Sequence, residues 1–100
     1  MIFFKRNSIN EAVEECRNTP GAILLDVREA DEFRAGHIPG AINAPLSAIN
    51  QVTLAKDTPL YVYCLRGTRS KQAVSNLKRV GYQDAKSIGG ISSYKGKLER

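Results

Sequence analysis

The sequence predicts an α/β fold, a parallel sheet of four or five strands flanked by helices on both faces. Two apolar runs, Ala22-Ile23-Leu24-Leu25 and Leu60-Tyr61-Val62-Tyr63, lack the alternation of a half-exposed strand and suit a sheet buried on both sides. Segments with helical spacing separate these runs, and that alternation implies right-handed crossovers between parallel strands. The chain of 100 residues supports one modest core and not two, so residues 1–100 are expected to form a single domain.

Taken in order, Ile2, Phe3 and Phe4 read as a short first strand. Ser8 followed three residues later by Glu11 is a capping-box pattern, and Ile9, Ala12, Val13 and Cys16 fall on one helical face. Cys16 is therefore assigned to the core; the competing role is a second redox thiol that resolves Cys64. Thr19, Pro20 and Gly21 stop that helix. The first buried run follows and ends on Asp26 and Arg28. In a parallel sheet the strand C-termini gather on one edge, which places this pair near the site as an ion pair bracing the loops.

Residues 29–35 form a short helix ended by Gly36, and His37-Ile38-Pro39-Gly40 is a turn. His37, the only histidine, invites a general-base role, but a structural role bonded to nearby backbone is the stronger expectation. Residues 41–44 give a brief strand, and residues 45–52 a short helix opened by Pro45. Asp57-Thr58-Pro59 turns the chain into the second buried run.

That run ends on Cys64, passes through Leu65, Arg66, Gly67, Thr68 and Arg69, and enters a helix. The helix shows an apolar face of Ala73, Val74, Leu77 and Val80 and is closed by Gly81. Cys64 thus sits where a strand hands over to a helix N-terminus. Unpaired amides and the helix dipole favour a thiolate there, and Arg66 and Arg69 add positive charge. Residues 84–88 form a last strand, and Gly89-Gly90 either lets another backbone approach or makes a turn. Residues 92–100 read as a frayed basic end anchored by Tyr94.

Composition narrows the function. At 42% hydrophobic and 25% charged, the chain has the balance of an ordinary globular protein, and no stretch approaches the roughly eighteen apolar residues of a membrane span. Residues 1–4 are too short for a signal peptide's apolar region, and Lys5 and Arg6 follow them instead of preceding them, so a cytoplasmic location is expected. The net charge of +5 attracts anions, yet its basic residues are scattered and not interleaved with aromatics, which argues against nucleic acid. Two distant cysteines and one histidine show no metal-ligand spacing, and neither a metal nor a cofactor is expected.

Cys64-Leu65-Arg66-Gly67-Thr68-Arg69-Ser70 resembles the active-site loop of rhodanese-type sulfurtransferases. The resemblance extends to Leu25-Asp26-Val27-Arg28, Glu32-Phe33 and the run from Gly36 through His37, Ile38, Pro39, Gly40, Ala41 and Ile42 to Asn43. Downstream it takes in Gly81-Tyr82 and Gly89-Gly90-Ile91; Tyr94 stands where many members carry tryptophan. It implies a rhodanese-like fold and a persulfide on Cys64 cradled by the loop formed by Leu65, Arg66, Gly67, Thr68, Arg69 and Ser70. Asp26 and Arg28 would support the site.

The expected activity is thiosulfate sulfurtransferase. Cys64 attacks the outer sulfur of a small anionic donor, and a thiol or cyanide acceptor removes it. Arg69 and Arg66 would hold the donor's sulfonate, and the Thr68 and Ser70 hydroxyls would cap the helix or bond within the loop, capping being the more ordinary role. The expected partners are these small molecules and a sulfur-relay protein, with a monomeric chain and no membrane. Two rivals stand beside this reading. A sulfur carrier without its own turnover would keep the same loop. A cysteine phosphatase or arsenate reductase resembles C-x5-R, whereas Arg69 follows Cys64 after only four residues, a loop that crowds a tetrahedral phosphate.

Overall fold

The computed structural model describes residues 8–100. The strand expected at residues 2–4 lies outside them. Ser8 caps the first helix, α1 (Ile9–Arg17), through the expected box: its hydroxyl accepts from the Glu11 amide, and Glu11 accepts from the Ser8 amide. Ile9, Ala12, Val13 and Cys16 are its buried face.

Strand β1 (Ile23–Asp26) leads through α2 (Ala30–Ala35) to β2 (Ile42–Asn43). β3 (Leu60–Cys64), α3 (Thr68–Arg79) and β4 (Ala85–Gly90) complete the main elements among the described residues. The four strands pair in the order β2-β1-β3-β4, and every pairing is parallel. All five residues of β3 are buried, as a central strand covered on both faces requires.

Alternation along β3 divides the core in two. Leu60, Val62 and Cys64 face one side with Leu25, Val27, Ile49, Ala73, Leu77 and Tyr82. Tyr61 and Tyr63 face the other with Ile9, Val13, Cys16, Leu24 and Ile38. Hence α1 covers one face, while α3 and a short 3-10 segment, Leu46–Gln51, cover the other.

The short helix expected after Pro45 is present as a 3-10 segment, with Ala48 breaking its φ/ψ regularity. Three local expectations are corrected. The brief strand shrinks to two residues. On α3, Val80 is the C-terminal cap and 39% exposed, while Ser70 takes the buried position one turn before Ala73. The C-terminal end is not frayed. His37 and Glu99 exchange backbone hydrogen bonds of 2.9 and 2.8 Å, Asn10 binds both backbone groups of Lys95, and Tyr94 packs on the α1-side core.

Candidate active site

β1, β3 and β4 end on the same edge of the sheet, at Asp26, Cys64 and Gly90. Cys64 points to the α3 side, and its sulfur is closed over by the segment that joins β3 to α3. Gly67 makes that segment possible. It is the N-cap of α3 with φ +110°, left-handed backbone that an L side chain rarely adopts. The turn aims amides inward: the Gly67 N–H donates to Cys64 Sγ at 3.0 Å and the Ser70 N–H at 3.3 Å.

The cysteine is 1% exposed, and burial alone pushes its thiol up. The amides of Ser70, Gly67 and Arg66 reverse that and hold it below the ordinary thiol range. The main chain, more than the arginine charge expected from sequence, lowers the pKa of this thiol. Cys16 has no such donors among the described residues, and burial leaves its thiol above the ordinary value.

Ser70 is fully buried and does not cap the helix with its side chain. Its hydroxyl donates to the Gly67 carbonyl at 2.9 Å and meets the Ser87 hydroxyl at 2.6 Å, tying the loop to β4. Thr68 and Arg66 are exposed, and Leu65 is 37% exposed. The Leu65 carbonyl accepts from the Ser92 N–H at 3.1 Å. The double glycine proves to be a close approach and not a turn. A Cβ on Gly90 would collide with the Leu65 carbonyl and the Arg66 backbone. A register shift between Val62 and Tyr63 brings Gly90 opposite Cys64.

Arg69 does not stand free. Its two terminal nitrogens fork onto Glu32 of α2 at 2.8 and 3.1 Å. The Arg69 guanidinium, with the Glu29 amide at 2.8 Å, holds the Glu32 carboxyl down at about 2 against the opposing effect of burial. Glu32 was visible in the sequence only as part of a family-like stretch. Nothing in its local spacing signalled a partner 37 residues away.

Asp26 and Arg28 form the expected ion pair, at 2.7 Å and buried. Burial presses the guanidinium toward neutrality, and Asp26 more than reverses this. Arg28 also donates to the Gly36 carbonyl at 2.7 Å, and Asn43 donates to the carbonyls of Asp26 and Arg28. His37 binds backbone as expected: its Nδ1 lies 2.9 Å from the Phe33 carbonyl, and its ring stacks on Phe33 at 3.8 Å.

The sequence model of the Rhodanese-like domain matches residues 8–97. The chain is 40% identical over 81 residues to the Uncharacterized protein YqhL of Bacillus subtilis (strain 168), covering 78% of this chain and 64% of that protein. It is 33% identical over 92 residues to the Thiosulfate sulfurtransferase GlpE of Tolumonas auensis, covering 90% of this chain and 86% of that one. Its coverage of two longer fungal relatives is only 24% and 21% of their length. Among solved structures, the Rhodanese-like domain of the Anabaena sp Alr3790 protein superposes with a TM-score of 0.79 at 25% identity, covering 96% of this chain and 80% of that one. With the parallel sheet, the amide-lined loop around Cys64 and a family match along nearly the whole chain, this protein belongs to the rhodanese-like domain family.

Proposed function

We propose that the chain moves a sulfane sulfur through a persulfide on Cys64, taking it from thiosulfate or a similar donor. The Cys64 thiolate attacks the outer sulfur of the donor, the new S–S bond forms as the old one breaks, and sulfite leaves with the electron pair. A thiol or cyanide then removes the outer sulfur and regenerates the thiolate. The reading rests chiefly on one observation: two loop amides, at 3.0 and 3.3 Å, converge on a single sulfur. Donors so placed stabilise negative charge on Cys64 before the attack and after the acceptor has taken the sulfur, as an oxyanion hole does for oxygen.

Leu65, Arg66, Gly67, Thr68, Arg69 and Ser70 form the binding loop in this proposal. Arg66, exposed beside the site, takes the sulfonate, with Arg69 contributing the N–H groups that Glu32 leaves over. Asp26 and Arg28 hold the neighbouring loops. The name and coverage of the Tolumonas auensis relative support a thiosulfate sulfurtransferase acting as one domain. Both cysteines are free thiols, which suits the reducing cytoplasm, and we take the chain to act there as a monomer.

Thiosulfate-to-cyanide transfer by the purified protein and by Cys64→Ser tests this. Turnover that disappears in the variant is expected. Retained turnover in Cys64→Ser contradicts the proposal. Rapid loading of Cys64 from a cysteine desulfurase with negligible cyanide turnover would replace the enzyme with a carrier.

A further inference from the structure

Resting on the reading of Cys64 as the sulfur acceptor, one contact at the site has a consequence for the choice of donor. Arg69 is the second position of α3, whose first-turn amides hold the Cys64 sulfur, and its charge reaches the thiolate. A guanidinium fork there is a ready receptor for a sulfonate, which offers it two oxygens just as a carboxylate does. In this chain Glu32 has filled the fork. Both of its oxygens are used, and Oε1 also accepts the Glu29 amide, so the carboxylate is fixed from its own helix as well as from Arg69. The pair is about one-third exposed, near the protein surface and not in the core.

We infer that Glu32 is a donor-selectivity residue, which neutralises Arg69 and biases Cys64 toward persulfide donors of low charge over dianionic thiosulfate. A protonated persulfide brings no charge to the reacting sulfur and needs no guanidinium. Cys64 thiolate attacks the outer sulfur of R–S–SH, the Sγ–S bond forms, the donor S–S bond breaks, and R–S⁻ leaves with the electron pair. The proton stays on the transferred sulfur. Thiosulfate instead arrives with two negative charges beside a thiolate and a carboxylate, and it must displace Glu32 to use the Arg69 fork. One unit charge removed at contact-to-neighbour range changes such a preference by roughly tenfold.

Glu32→Gln separates the charge from the fold, because glutamine keeps the acceptor that receives the Glu29 amide. The ratio of kcat/KM for thiosulfate to that for cysteine persulfide is expected to rise roughly tenfold in this variant, mainly through a lower KM for thiosulfate. An unchanged or lower ratio overturns the inference. Should neither donor be turned over by either protein, the sulfur-transfer reading is what fails. The inference is then decided by alkylation of Cys64. The rate with anionic iodoacetate relative to neutral iodoacetamide must rise by a similar factor, and a constant ratio rejects it. If Glu32→Gln does not fold, Glu32→Asp withdraws the carboxylate from the fork, and a rise below about twofold in either ratio counts against the inference.

Discussion

At Cys64, burial and hydrogen bonding pull one sulfur in opposite directions, and the amides of Ser70, Gly67 and Arg66 prevail. The neighbouring ion pair is subject to the same physics. Asp26 is fully buried and grips Arg28 with both oxygens, at 3.0, 3.1 and 2.7 Å. Removing one partner from such a pair leaves an uncompensated charge in low dielectric. Asp26→Asn is therefore expected to cost about 3–5 kcal/mol in urea unfolding, with Arg28 left behind as the stranded charge. A loss within 1 kcal/mol, roughly what a surface pair is worth, would show that water reaches Arg28. Single-residue placement was legible where chemistry and position agree, as for Cys64 at the end of its strand and for the Asp26–Arg28 pair two residues apart. It was not legible for Arg69. A sequence shows that an arginine lies next to a thiol, but a fork occupied from another helix depends on tertiary placement.

Among the elements, β4 sets the shape of the loop as much as α3 does. Its register shift brings Gly90 opposite Cys64, and the missing side chain lets the Leu65 carbonyl sit against it. Gly90→Ala places a methyl group into fixed backbone, where neither partner is a flexible side-chain end. We expect a loss of about 1–3 kcal/mol, the range for overpacking a closed contact, and a Cys64 alkylation profile moved to higher pH as the loop amides shift. A folded variant with the parent's alkylation profile would mean that β4 does not position the loop. The double glycine pointed in the sequence to either a turn or a close approach, and only the bulge in the ladder decides between them. Strands β1 and β3 could be read from their apolar runs. The 3-10 character of Leu46–Gln51 could not, since opening with proline suits either helix type. Of the two roles open to the Ser70 hydroxyl, bonding within the loop is the one observed, for a related reason. Threonine and serine favour N-caps by propensity, but the loop needs left-handed backbone at that position, and Gly67 supplies it.

Across the whole molecule, the parallel sheet makes one edge different from the other. Strand ends, the start of α3 and the first turns after β1 converge there, while two cores pack the strands from opposite faces. The chain's two thiols sample these two environments. Cys64 lies at the C-terminal edge under converging amides, and Cys16 lies in the α1-side core, with no such amides among the described residues. The fold class was readable from the order of apolar runs alone; the docking of the C-terminal end was not. Its contacts, from Asn10 to Lys95 and from His37 to Glu99, join segments far apart in sequence, and a basic, glycine-containing tail carries no local mark of them.

The most direct test is the pH dependence of iodoacetamide alkylation, followed separately at Cys64 and Cys16 by peptide mass spectrometry of the same samples. The rate at Cys64 should reach half its plateau below the ordinary thiol value of 9.0, and the rate at Cys16 above it. A midpoint for Cys64 at or above that value would contradict the claim that the loop amides hold its thiolate.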